Sequence, residues 1–306
     1  MTYKIVFMGT PKFSVPVLEV LENSSYKISC VYTQYPKKSN RRQKLNPSPI
    51  QKCAENLKLD IRSPQNLNNE EDFKFLTKLE PDIVVVVAYG QLIPKRFLDL
   101  SKEGFLNIHA SLLPKFRGAA PIQRSIMNLE KETGISFMNI IEELDAGPVM
   151  KQIKIKVNEL NTAEEISNTL SQISAENIIA TLDDIFNKKS KFIEQKNELA
   201  SYAKKLKRSE TKINWSENAK HILAKINGLN STLGAWFIYK NTRYKVWRAA
   251  ISEITGKPGS ILNNDFIIGC ADKSIEITEI QKEGKNKLLL KDFLSGISFK
   301  IDDLVE

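Results

Sequence analysis

Histidine and cysteine are both scarce, with two His and three Cys in 306 residues. Cys30, Cys53 and Cys270 stand far apart and are odd in number. That argues against a disulfide framework and against a cysteine-based metal cluster, so no metal is expected. The longest apolar run, residues 83–88, falls far short of the roughly 18 residues a membrane helix needs. The first residues lack the basic start, long apolar stretch and small-residue cleavage site of a secretion signal, so the cytoplasm is the expected compartment. Glycine is sparse where nucleotide folds need it: the first strand-to-helix passage holds only Gly9, and the phosphate-cradling Gly-Lys-Ser/Thr pattern is absent. The sheet is not expected to serve NAD or ATP.

Positive charge, by contrast, is in excess: 45 Lys and Arg against 36 Asp and Glu, a formal +9. Residues 204–306 hold 18 basic and 12 acidic residues, whereas the first 203 hold 27 and 24. A basic module joined to a nearly neutral one points to a polyanionic partner, with nucleic acid ahead of a membrane surface.

Apolar runs at residues 4–8, 28–33, 82–88, 105–109 and 134–141, separated by helical stretches at 14–21, 48–57 and 122–128, predict an α/β domain with a doubly wound, mostly parallel Rossmann-like sheet. Thr162-Ala163-Glu164-Glu165 opens a long helix with a capping box, its apolar residues continuing to Ile185. A polar stretch then precedes short β-rich runs at 235–239, 244–250, 259–262, 266–270 and 274–280, expected to form a small C-terminal OB-like β-barrel. The expected domains are residues 1–188, a linker at 189–206, and residues 207–306.

His109 ends an apolar strand, and Asn107 lies on the same side of it by alternation, at the carboxyl end where open α/β sheets place ligands. A carboxamide can donate to a carbonyl oxygen, and an imidazole can donate or move a proton. Asp145 follows the next strand in a turn, where its carboxylate can orient the imidazole. With no serine or cysteine nucleophile beside them, attack by the substrate's own amine or by water is expected, without a covalent enzyme intermediate. His221, in the helical stretch 219–226, reads as a surface or structural residue, and Trp236 and Trp247 read as core.

The run Asn107-x-His109-x-Ser111-Leu112-Leu113-Pro114, followed by Arg117-Gly118-Ala119-Ala120-Pro121-Ile122-Gln123 and Asp145, resembles the 10-formyltetrahydrofolate transformylases, and among them the branch acting on methionyl-tRNA. Phe7-x-Gly9-Thr10-Pro11, Thr33-Gln34, Val86-Val87-Ala88-Tyr89-Gly90, Tyr202-Ala203-x-Lys205-Leu206 and Ile213-Asn214-Trp215 extend the likeness over essentially the whole chain. The resemblance implies formyl transfer from 10-formyltetrahydrofolate to the α-amine of initiator methionyl-tRNA, for translation initiation. Asn107, His109 and Asp145 are then catalytic, and Ser111, Leu112, Leu113, Pro114, Tyr89 and Gly90 form the folate pocket. The basic segment 35–45, with Lys37, Lys38, Arg41, Arg42 and Lys44, is implied to contact tRNA, Arg41 matching the family's loop arginine although Asn40 and Arg42 replace its usual glycines. Arg243, Lys245 and Arg248 on the barrel supply further phosphate contacts. A monomer is implied by the resemblance alone. Two other readings are a formyltransferase or hydrolase acting on a small acceptor or water, and a non-catalytic RNA-binding protein.

Overall fold

The computed structural model describes residues 2–39, 44–230, 232–296 and 299–306. It divides into two compact units. The first comprises residues Met1–Ala119, Gly134–Lys154 and Ser167–Ala203, and the second comprises Ala120–Thr133, Ile155–Ile166 and Lys204–Glu306.

In chain order the elements are β1 (Lys4–Gly9), α1 (Val15–Glu22), β2 (Lys27–Tyr32), β3 (Lys37–Ser39), β4 (Lys44–Asn46), α2 (Pro49–Asn56), β5 (Ile61–Arg62), α3 (Glu70–Leu79), β6 (Ile83–Val87), α4 (Lys95–Leu98) and β7 (Phe105–His109). They continue with α5 (Pro121–Met127), β8 (Glu132–Asn139), β9 (Val149–Lys156) and α6 (Ala163–Phe186). The remainder is α7 (Ala219–Leu229), β10 (Ala235–Tyr239), β11 (Thr242–Ser252), β12 (Ile267–Gly269), β13 (Ser274–Lys282), β14 (Leu288–Leu289) and α8 (Leu290–Leu294).

The main sheet runs β5-β2-β1-β6-β7-β8-β9. Pairing is parallel from β5 to β7 and turns antiparallel between β7 and β8. All five residues of β6 are buried, as expected of a central parallel strand covered on both faces. Each such valine or isoleucine contributes about 1.5–3 kcal/mol by leaving water. Ser48 caps α2, accepting from the Gln51 amide at 2.9 Å, and Pro49 follows at the first turn. The Thr162–Glu165 capping box forms as expected, with contacts of 3.0 and 3.3 Å in the two directions.

In the second unit β10-β11-β13-β12, with β14 on β13, make an antiparallel sheet that curls as a half-barrel. Its core joins Trp215, Phe237, Tyr244, Phe266 and Ile275 to the apolar face of α7. Helix α7 also meets α5: at Gly228 an added Cβ would lie 2.6 Å from Met127 Cγ, so only glycine allows this approach. The expected strand at 259–262 is replaced by single bridges, Ser260 to Leu304 and Ile261 to Ile268, and the fifth strand is β14. Pro258 offers no amide and Gly259 turns with φ +80°, which breaks a continuous ladder there.

Candidate active site

The site assembles at the carboxyl edge of the first unit's sheet, where loops from adjacent strands are tied together. Ser14 Oγ donates to Val87 O at 2.6 Å and Thr10 Oγ1 to Tyr89 O at 2.7 Å. Gln34 Nε2 donates to Gly90 O at 2.6 Å. A Cβ on Gly90, whose φ is +81°, would sit 2.3 Å from that Gln34 nitrogen. Gly9-Thr10, Thr33-Gln34 and Tyr89-Gly90 are thus one structural group.

Asn107 and His109 lie on β7, 9% and 6% exposed. The Asn107 carboxamide has no hydrogen-bond partner among the described residues, so its donors remain open to an incoming oxygen. His109 faces acceptors on both ring nitrogens: Nε2 lies 2.9 Å from Phe116 O, and Nδ1 lies 3.7 Å from Asp145 Oδ2. The sequence expectation that Asp145 faces His109 is therefore met in space.

Two loops deliver these partners. In the first, Ser111 Oγ donates to Lys115 O at 2.6 Å, and Ser136 Oγ donates to Ser111 O at 2.7 Å. Leu113 N donates to Ser136 Oγ at 3.1 Å, and Gln152 Nε2 donates to Leu113 O at 2.8 Å. The Leu113–Pro114 peptide is cis, and Phe116 adopts φ +60°. In the second loop Asp145 is left-handed with φ +49°, and its Oδ2 accepts from the Gly118 amide at 2.7 Å. Left-handed backbone at a bulky residue such as Phe116 is costly and persists only where surroundings fix it.

Arg117 lies between them, 2% exposed. Its Nε and Nη2 donate to Gln195 Oε1 at 3.0 and 2.9 Å, and Nη2 also to Asn197 Oδ1 at 2.9 Å. Gln195 and Asn197 come from the stretch expected to be linker, and sequence reading missed them.

Of the residues expected at a folate pocket, Ser111, Leu112, Leu113 and Pro114 form the loop just described. Tyr89 points elsewhere: its ring is 2% exposed in a core cluster with Tyr32, Phe97 and Phe105, and burial raises its phenol pKa. Only its backbone, with that of Gly90, reaches the loop group.

Of the residues expected at a tRNA interface, Arg41 and Arg42 lie outside the described residues. Lys37, Lys38 and Lys44 fall in the β3–β4 hairpin, whose register pairs Lys37 with Asn46 and Ser39 with Lys44; their side chains are also outside the description. In the second unit Arg243 pairs with Glu283 at 2.7 Å, and Arg248 pairs with Glu165. Lys245 Nζ donates to Leu233 O at 2.6 Å and lies 5.2 Å from the Trp247 ring. Its pKa is lowered by partial burial and by the neighbouring cations Arg243 and Arg208.

Trp236 and Trp247 are not core residues. Both are half-buried on the outer face of β10 and β11, because Ala235, Phe237 and Tyr239 take the inner positions of β10. On β11 a bulge at Trp247–Arg248 turns both residues outward between buried Val246 and Ala249. Lys212 and Arg243 lie 5.9 and 5.7 Å from the Trp236 ring. His221 is exposed on α7, as expected.

Among the described residues no three His, Cys, Asp or Glu side chains converge as a metal site. No helix among them is long and apolar enough to cross a membrane.

This edge of the sheet brings together an imidazole, a carboxylate 3.7 Å from it and an open carboxamide, groups able to polarise a carbonyl and move a proton. Residues 3–182 match the formyl transferase family and residues 205–298 match the formyl transferase C-terminal domain. The chain belongs to the formyl transferase family, and it is an enzyme of that class. It is 52% identical over 298 residues to a methionyl-tRNA formyltransferase of Pelagibacter ubique, covering 97% of this chain and 96% of that protein. A methionyl-tRNA formyltransferase of Roseobacter denitrificans is 38% identical, with 96% and 95% covered. Among solved structures, a methionyl-tRNA formyltransferase from Clostridium thermocellum shares the fold with TM-score 0.59 at 18% identity, covering 82% of this chain and 94% of that one. The sugar 3N-formyl transferase WlaRD, solved with dTDP and 5-N-formyl-THF, shares it with TM-score 0.69 at 20% identity, covering 94% and 100%.

Proposed function

We propose that this chain transfers the formyl group of 10-formyltetrahydrofolate to the α-amine of initiator methionyl-tRNA, in the cytoplasm and as a monomer, for translation initiation. The observation that carries this reading is the convergence of Asn107, His109 and Asp145 at one loop group, in a chain 52% identical over nearly its full length to a protein of that name.

Asn107 donates to the formyl oxygen as negative charge builds on it during attack by the amine, and so does His109 through Nδ1, since Nε2 is engaged by the Phe116 carbonyl. Asp145, held by the Gly118 amide, orients His109 and helps remove the amine proton through water; the adduct then collapses with cleavage of the bond from the formyl carbon to N10, and tetrahydrofolate leaves carrying that proton on N10. Ser111, Leu112, Leu113 and Pro114, with the backbone of Tyr89 and Gly90, bound the folate pocket. The loop held by Ser136 and Gln152 suits a planar donor because its backbone is fixed before the donor arrives.

In this reading residues 1–188 are the catalytic domain, 189–206 the linker and 207–306 the tRNA-binding domain. Lys37, Lys38, Arg41, Arg42 and Lys44 contact the acceptor stem, and Arg243, Lys245 and Arg248 contact phosphates. The test is incubation of the chain with labelled 10-formyltetrahydrofolate and methionyl initiator tRNA. Label in formylmethionine released from the tRNA supports the reading, and its absence with an active donor contradicts it.

A further inference from the structure

We propose that residues 193–203 form a positioning strap for the formyl-transfer site, with Gln195 the positioning residue for Asp145 and Ser201 that for the Phe116 carbonyl. This rests on the function proposed above. The strap enters by pairing Ile193 with Val149, the amide-to-carbonyl contacts being 2.8 and 2.9 Å. It leaves by pairing with Arg117: Arg117 N donates to Ser201 O at 2.8 Å, and Ala203 N to Arg117 O at 2.7 Å.

Between these ends the two side chains reach opposite sides of His109. Gln195 Nε2 donates to Asp145 O at 2.9 Å and to Gly147 O at 2.7 Å, while its Oε1 accepts twice from the buried Arg117 guanidinium. Every hydrogen-bonding position of this carboxamide is therefore used, and Arg117 fixes which end faces the turn. The two donors bracket the left-handed Asp145 and so set where its carboxylate stands relative to Nδ1. On the other side Ser201 Oγ accepts from the Phe116 amide at 2.9 Å. That contact holds Phe116 in its left-handed conformation and aims its carbonyl at His109 Nε2. Neither Gln195 nor Ser201 hydrogen-bonds His109. Each acts through the group that does.

The design of Gln195 separates positioning from mere stability. Gln195→Glu keeps an acceptor for Arg117, now charged, and replaces both donors to the turn by an oxygen that the Asp145 and Gly147 carbonyls repel. Gln195→Leu removes all four contacts. A purely structural role predicts that the glutamate variant, retaining the Arg117 contact, recovers the turnover that the leucine variant loses. A positioning role predicts that both variants lose turnover.

Both variants and Ser201→Ala are to be compared with the unmodified chain by melting temperature, by kcat and KM for donor and tRNA, and by ring 15N shifts of His109, readily resolved because the chain has only two histidines. The expected result is a kcat lowered on the order of 10–100-fold in both Gln195 variants, with either KM within about threefold. Gln195→Glu is expected to unfold cooperatively with a melting temperature above that of Gln195→Leu, its charged contact with Arg117 offsetting part of the repulsion from the two carbonyls, and the His109 ring shifts are expected to move in all three variants. An unchanged kcat and unchanged His109 shifts in Gln195→Glu would overturn the proposal, provided the unmodified chain transfers formyl. Absence of transfer by the unmodified chain would instead contradict the proposed function itself.

Discussion

One carboxylate oxygen of Asp145 serves two neighbours: it accepts from the Gly118 amide at 2.7 Å and stands 3.7 Å from His109 Nδ1. The amide hydrogen bond fixes the carboxylate, and the longer separation leaves Nδ1 open to a substrate oxygen beside it. Replacing Asp145 by Asn keeps the shape but removes the carboxylate charge that faces the imidazole. We expect kcat to fall and the shape of its pH dependence to change. A pH–rate profile matching the unmodified enzyme in rate and form would remove Asp145 from the chemistry.

Asn107 tests the opposite kind of group, a neutral donor with no partner among the described residues. Asn107→Ala is expected to cost on the order of 10²–10³ in kcat. Its melting temperature should change little, because no internal hydrogen bond is lost. The check is steady-state kinetics alongside thermal unfolding.

Gly147 makes the turn that carries Asp145. A Cβ there would lie 2.0 Å from Asn139 O, a backbone atom that cannot swing aside. Gly147→Ala is therefore expected to displace the turn and lower both melting temperature and turnover. An alanine variant with normal kcat and stability would show that this close approach relaxes at no cost.

The three thiols should be inert in the folded chain. Cys30 and Cys270 are pushed up to about 12 by burial, and burial also raises Cys53, followed by the charge of Glu19. Since the thiolate is the reactive form, a thiol reagent at neutral pH is expected to label none of them until denaturant is added, and formyl transfer should survive the treatment.

Acid should loosen the second unit through Glu210. The Lys207 amide at 2.7 Å and the Arg124 guanidinium at 2.9 Å hold its carboxyl below the ordinary glutamate value. A depressed folded-state pKa adds stability above the unfolded value, and that stability is lost as pH falls through the folded one. Glu210→Gln should therefore melt lower than the unmodified chain at pH 7, and the two melting temperatures should approach each other in acid. A gap that is constant with pH would contradict this.

Much of the fold was readable because it rests on local pattern. The four consecutive valines of β6 have no polar alternation, so the central strand is legible without context, and Thr162 with Glu165 mark the start of α6 directly. Strand β9 was not found because Val149–Lys156 alternates with lysine and glutamine at half-solvated positions, unlike the unbroken apolar runs that marked the other strands. Trp236 and Trp247 were misplaced for a related reason. Apolar neighbours suggested burial, whereas strand alternation at Phe237 and the bulge at Arg248 decide the facing. The placement of Asn107 and His109 on one strand end, with Asp145 facing the imidazole, was legible from residue type and strand ends. Gln195 was not, since it looks like any polar residue in a solvated run and its partners lie 48 to 78 positions away.

The central claim is that this site passes a formyl group to the amine of initiator methionyl-tRNA. Its most direct test offers labelled 10-formyltetrahydrofolate to the enzyme with methionyl initiator tRNA, methionyl elongator tRNA, a small amine or sugar-nucleotide amine, and water alone, in parallel. The account predicts selective labelling of the initiator tRNA. Formate release without labelled tRNA, or labelling of the small amine in preference, would contradict it.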